Sequence, residues 1–252
     1  MTCFELHGRL YSVAGEGPDS GAFSRSVYRY DPQAGQWTTL NDFPITSWMA
    51  MATVCNGKAY VMGGRRGYGA TCAEVYEYNE ATDAWRACAP MPVPVMFAGA
   101  AACEGKAYVF GGAFKSSESQ HHYTNMVQVF DPAANSWTLQ SMPVLLSPAV
   151  AAVTCGNLIY IFALKIWDTE LAAWQDNTMI CCYSPDTGRW SGLELGTPVG
   201  SYQNQPPANI NGTAYFLADN TLVPRAWKLL LPTDPSQPGL SRRLVAPTAT
   251  VP

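Results

Sequence analysis

Histidine and charge are both scarce in this 252-residue chain: three His, and only 13% Asp, Glu, Lys and Arg together. Copper or zinc chemistry needs convergent ring nitrogens, and His7 with the adjacent pair His121-His122 cannot readily supply them. The sequence therefore implies neither a metal site nor a cofactor. Net charge is −4, and basic residues cluster only in the pairs Arg65-Arg66 and Arg242-Arg243. Without a basic stripe, a nucleic-acid partner is not expected. The N-terminus MTCFELHGRLYSVAG shows no basic region followed by an apolar run, so it does not read as a secretory signal. No GxSxG, HExxH or phosphate-loop pattern occurs, and no catalytic residue is assigned. Low charge beside 48% hydrophobic content also excludes a disordered chain. One stretch, Pro148 to Trp167, has the hydropathy of a membrane helix. Cys155-Gly156-Asn157 interrupts its centre, and the repeat described next divides it into two strands, so no membrane span is expected.

What the chain does have is glycine (21), proline (19) and aromatics in a regular order. Four segments superimpose on a tyrosine: Gly8 to Gly15 on Tyr11, Gly57 to Gly64 on Tyr60, Gly105 to Gly112 on Tyr108, and Gly212 to Asp219 on Tyr215. Asn157 to Leu164, on Tyr160, fits as a fifth. Downstream of the first four tyrosines in chain order come Val27…Trp37, Val75…Trp85, Val127…Trp137 and Ile180…Trp190. Each β-branched residue precedes its tryptophan by the same step, across an Asp-Pro, Asn-Glu or Ser-Pro turn. Two anchors held in phase over four copies mark a structural repeat. Each unit reads as four short strands, a to d. Strand a is small and apolar, b carries the tyrosine and often a Gly-Gly, c carries an aromatic, and d starts at the tryptophan. A single such sheet cannot cover both its faces, so the units must stack radially, which also protects their edges.

The eight cysteines follow the same logic. Cys55, Cys103 and Cys155 each lie five residues before their tyrosine, at a site that takes Leu6 and Ile210 in the other copies. Such a site wants a small buried hydrophobe, and reduced thiols in a cytoplasmic protein are expected rather than disulfides. The repeated tyrosines and Trp37, Trp85, Trp137 and Trp190 are expected to be packing anchors, not a ligand cage. A buried aromatic removes about 150–250 Å² from water, roughly 4–6 kcal/mol as an upper bound at about 25 cal/mol per Å². Gly63, Gly64, Gly111 and Gly112 are expected where a Cβ would obstruct the chain.

Gly-Gly ending strand b, an aromatic on c and tryptophan opening d resemble the kelch repeat, most closely over Asp83 to Gly112. That stretch is similar to the kelch half of BTB-kelch proteins, and the resemblance covers roughly residues 3 to 231. It implies an all-β, kelch-type β-propeller over residues 1–232, with units at 1–46, 47–95, 96–147, 148–204 and 205–247. A Pro-rich segment, 233–252, is expected to be partly disordered and is the candidate source of the last outer strand. Kelch propellers usually have six blades and this chain supplies about five. Either the ring closes with five or an N-terminal blade is missing; the chain opens inside a strand a, which favours the second.

Function is then expected on loops. In an a-b-c-d antiparallel sheet the b–c and d–a connections share one end, and here the b–c connections are long and differ between units. Candidate partner-binding residues are Arg65, Arg66 and Tyr68; His121, His122 and Tyr123; Trp167 and Trp174; and Trp48, Phe97, Tyr202 and Gln203 on the d–a side. Arg65 and Arg66 suit bidentate contact with a carboxylate or a phosphate, though a solvated turn reads equally well. Trp167 and Trp174 fall outside the repeat phase, as interface anchors do, or else they fold back over the fourth unit. The resemblance implies a protein-interaction module: target recognition for a cullin-RING ubiquitin ligase, with the cullin contacted only through a domain absent from this chain. The alternatives it implies are a propeller enzyme acting on a sugar and an actin-associated scaffold for a cytoskeletal partner.

Overall fold

In the computed structural model, the described residues are 1–16, 23–67, 69–115, 121–147, 150–194, 208–210, 213–218 and 225–230, the last three stretches as backbone strands only. All regular structure among them is β. The first unit pairs β1 (Thr2–Leu6), β2 (Arg9–Glu16), β3 (Phe23–Asp31) and β4 (Gln36–Leu40) in chain order. The second repeats this with β5 (Met51–Cys55), β6 (Lys58–Met62), β7 (Val75–Asn79) and β8 (Ala84–Ala87). In the third, β9 (Gly99–Cys103) and β10 (Lys106–Phe110) are followed by a small hairpin, β11 (Ala113–Lys115) with β12 (His121–Tyr123). The sheet then resumes with β13 (Met126–Asp131) and β14 (Ser136–Ser141). The fourth has the same plan: β15 (Ala151–Cys155) and β16 (Leu158–Phe162), a hairpin of β17 (Lys165–Asp168) and β18 (Ala173–Asp176), then β19 (Met179–Ser184) and β20 (Arg189–Glu194). A fifth sheet comprises β21 (Ala208–Ile210), β22 (Thr213–Ala218) and β23 (Arg225–Leu230). The Pro-rich segment 233–252 lies outside the described residues.

The first strands of successive units lie beside one another in the order β1, β5, β9, β15, β21. That is the inner rank of a propeller, with each sheet a blade. Among the described residues no helix is long and apolar enough to cross a membrane, and the apolar stretch after Pro148 forms β15, β16 and β17.

Period-two alternation gives blades two, three and four two buried faces each. In blade two, Ala59, Val61 and Tyr78 face blade one, while Met51, Cys55, Tyr60, Met62 and Val75 face blade three. The seams repeat one aromatic motif. Tyr11 meets Tyr78 at 5.6 Å between ring centroids, Tyr60 meets Phe130 at 5.6 Å and Tyr108 meets Tyr183 at 6.1 Å. The strand-c ring in turn leans on its own tryptophan: Tyr78 on Trp85, Phe130 on Trp137 and Tyr183 on Trp190, at 4.8, 4.9 and 4.7 Å. A strand-b tyrosine thus reaches forward, and the c–d pair receives it from the next blade. Cys55, Cys103 and Cys155 are buried on the forward faces, and none of the eight cysteines forms a disulfide.

Trp37 departs from the expected burial. It stacks on Tyr30 at 5.2 Å yet is 54% exposed, because among the described residues no sheet lies against the backward face of blade one. The aromatic contributes its packing energy only where a neighbour exists.

At Gly64 the reason for glycine is geometric. Its φ is +84°, and a Cβ would sit 2.6 Å from both Ser47 Oγ and Trp48 O. Strand b ends there so that the chain entering the same blade can cross it. Gly112, with φ +93° and Met96 O at 2.8 Å from a Cβ, does the same in blade three.

Candidate interaction face

Each b–c connection is tied to the d–a segment entering its own blade. Trp48 bridges Arg65, Met96 bridges Ala113 and Leu146 bridges Ile166. The loops of one end therefore rise from a common backbone frame. Closer to the axis, Phe97 N donates to Met49 O at 3.3 Å and Val150 N donates to Phe97 O at 3.1 Å, linking three successive entries. Met49 and Phe97 both hold left-handed φ, +58° and +57°.

On blade two, Arg65 is only 8% exposed. Its Nε donates to Gly67 O at 2.8 Å, and its guanidinium carbon lies 4.9 Å from the Trp48 ring centre. Phe23 adds a second ring against Trp48, at 6.0 Å. Arg65 and Trp48 thus act as a staple at the base of the loop. Arg66 is exposed and paired with Glu74, whose charge raises the guanidinium pKa. Nearby Cys72 is buried, and its thiol is pushed up to about 11 by desolvation, which leaves it a poor nucleophile.

On blade three, the segment expected as a polar loop is partly a hairpin. Phe114 pairs with His122 and Lys115 with His121, and the Phe114 and His122 rings stack at 5.3 Å. Both histidines are exposed. Lys115 N donates to Thr71 Oγ1 at 2.9 Å, joining this hairpin to the loop of blade two.

On blade four, Trp167 lies opposite Trp174 in the β17–β18 register, their rings nearly perpendicular at 5.3 Å. Trp174 also meets Tyr123 of blade three edge-on, 5.3 Å away at 87°. Three rings from two blades therefore form one half-buried cluster. The hairpin is fixed at its base by Asn177, buried, whose Nδ2 donates to Ala163 O at 2.9 Å. At its tip Asp168 Oδ1 accepts from the N–H groups of Glu170 and Leu171, at 2.8 and 3.0 Å. Leu171 projects there, 64% exposed.

The structure thus brings together Tyr123, Trp167 and Trp174, places His121 and His122 beside them, and holds Trp48 with Arg65 on the same end. Phe97 is half-buried nearer the axis. Tyr68, Tyr202 and Gln203 lie outside the described residues. Sequence reasoning missed Phe23, Phe114 and Leu171. A signal for the blade-four hairpin was present: Asp168 precedes Trp174 by the same six positions that separate Asp31 from Trp37 and Asp131 from Trp137. Ala172 even repeats the left-handed φ of Asn135, +48° in both. The loop is a copy of the c–d hairpin inserted between b and c.

Comparison with known proteins agrees with this architecture. The family model described as the KLHDC2/KLHL20/DRC7 Kelch-repeats domain matches residues 1–223. An F-box/kelch-repeat protein of Arabidopsis thaliana is 38% identical over 68 residues, 27% of this chain. The matched stretch spans 18% of that relative's length.

Proposed function

The chain belongs to the kelch-repeat family, and on that premise we propose that it is a protein-interaction module gripping its partner on the b–c hairpin face. The observation that carries this reading is the junction of Tyr123 with Trp174 and Trp167 across two blades. Aromatic anchors are the residues that dominate protein interfaces, and these stand on hairpins whose bases are hydrogen-bonded into a rigid sheet. Exposed Leu171 and the His121-His122 pair flank them, giving an apolar centre with a polar border.

The finer reading follows the resemblance to BTB-kelch proteins. The module is the target-recognition part of a cullin-RING ubiquitin ligase adaptor, and the cullin is contacted through a domain outside this chain. Its partner is then a ubiquitination target. The test is affinity purification with mass spectrometry, comparing the native chain with a Leu171→Glu, His122→Glu double variant and with Trp174→Ala. The exposed double variant should keep its melting temperature while partner recovery falls at least tenfold. Unchanged partner lists would sink the hairpin-face reading. Ubiquitin-remnant profiling of the recovered partners, with and without the chain, separates the two levels. Unaltered ubiquitination would remove the adaptor role and leave the interaction role standing.

A further inference from the structure

We propose that Asn56-Gly57, the turn between β5 and β6, is a self-modification site: Asn56 loses its side-chain amide by cyclising onto Gly57 N, with His7 of blade one as the base. Of the asparagines in the sequence, only Asn56 and Asn211 precede a glycine, which has no Cβ to hinder attack by its own nitrogen. Asn56 and Gly57 are both exposed. They hold left-handed φ, +52° and +71°, in the two-residue turn that joins paired Cys55 and Lys58. Gly57 N has no hydrogen-bond partner among the described residues, whereas the equivalent Gly8 N donates to Glu5 Oε1 at 2.6 Å.

The a–b turns of successive blades lean on one another. Asn56 reaches forward to blade three, where its Nδ2 donates to Gly105 O at 3.3 Å. His7 reaches forward in the same way, and its Nε2 lies 3.9 Å from where a Cβ of Gly57 would stand. The imidazole is fixed from its other side, with Nδ1 at 2.7 Å from Glu80 Oε2. Glu80 Oε1 meanwhile accepts from the Tyr11 hydroxyl at 2.8 Å and from Arg9 Nη1 at 3.2 Å. A carboxylate only accepts, so the proton of the neutral ring sits on Nδ1 and the lone pair of Nε2 is left on the Gly57 side. A carboxylate thus orients an imidazole, and the imidazole stands beside a free backbone N–H next to an amide carbon. That is the order of groups that general-base catalysis uses. At Gly105 the corresponding neighbour is the Asn56 amide, which offers no basic nitrogen.

In the reaction, Gly57 N bonds to Asn56 Cγ while His7 Nε2 takes the proton from that nitrogen. The tetrahedral carbon then expels Nδ2, which leaves as ammonia with the proton that His7 returns. Solvent water, which reaches both exposed residues, opens the cyclic imide at either carbonyl to give aspartate or isoaspartate. Neither product keeps the Nδ2 donor that ties blade two to Gly105 O, and isoaspartate adds a methylene to the main chain of the turn. The modification therefore loosens this end of the seam between blades two and three.

Incubating the full chain in oxygen-18 water at neutral pH, followed by peptide mapping, reads the reaction at each asparagine. Label at residue 56 should accumulate several-fold faster in the folded chain than in the same chain unfolded in guanidinium chloride. Equal or slower labelling in the folded chain would overturn the proposal. His7→Ala should lower the folded rate several-fold, and imidazole added to the solution should restore it, which a merely structural role of His7 would not give. His7→Gln, which keeps a donor for Glu80 without a base, should lose the rate equally. A native rate in either variant, or no rescue by imidazole, would overturn the role of His7.

Discussion

Trp85 and Trp137 hold the same position in successive blades, yet their indole nitrogens end differently. Trp137 Nε1 donates to Ala89 O of the preceding blade at 2.8 Å. Trp85 Nε1 is buried and has no partner among the described residues. Replacing each by phenylalanine removes similar ring area from similar surroundings, so that loss cancels between the two variants. The polar part does not cancel. Trp137→Phe gives up a hydrogen bond worth about 1 kcal/mol net, whereas Trp85→Phe removes an unpaired desolvated donor and regains about 1 kcal/mol. Trp137→Phe should therefore be the more destabilising by about 2 kcal/mol. For a domain of this size that corresponds to a gap of about 4–8 °C in melting temperature. Circular-dichroism melts and urea midpoints at unchanged slope measure it. Equal shifts, or a larger one at Trp85, would refute the assignment of the two nitrogens.

Gly64→Ala should lower stability by about 1–3 kcal/mol from backbone strain alone, since it sets a Cβ against Ser47 and Trp48 at a φ of +84°; a neutral urea midpoint would show the crossing is looser than described. Glu80 joins blades one and two through His7, Tyr11 and Arg9, and the His7 contact first among these holds its carboxyl below the usual range. A depressed carboxyl stabilises the fold above its ordinary pKa of 4.5 and ceases to do so as pH falls through the lowered value. Melting temperature should drop on acidification below that point, and Glu80→Gln should flatten the drop; parallel curves would remove Glu80 as its source. Six cysteines are buried, with burial pushing thiols such as Cys55 and Cys181 up to about 11. A disulfide reagent should modify them only after denaturant is added, and prompt labelling of Cys155 in the native protein would contradict the seam packing.

The repeated tyrosines were legible in the sequence because each solves the same local problem: one side chain filling one seam. The cysteine positions were legible for the same reason, as sites tolerant of Cys, Leu or Ile. The exposure of Trp37 was not, since it depends on which sheet lies alongside and not on the residue's own neighbours in the chain. The anchoring of Arg65 was not legible, because its partners, the Trp48 ring and Gly67 O, come from the crossing of two connections. The pairing of Ala113–Lys115 with His121–Tyr123 was hidden by polar residues that show no apolar alternation. Trp167 and Trp174 stood out of the repeat phase, but the turn spacing that Trp174 shares with the c–d hairpins went unused.

Forward-reaching tyrosines and backward-facing acceptors give the stack a polarity, like tongue-and-groove boards laid in one direction. Excising all of residues 47–95 would leave the Tyr11 face opposite Phe130 and Trp137, two surfaces already shaped for each other. Removing half that length would strand a tongue without its groove. Duplication and loss in such a chain are therefore tolerated in whole multiples of the repeat, while the hairpins raised above the boards remain free to change length.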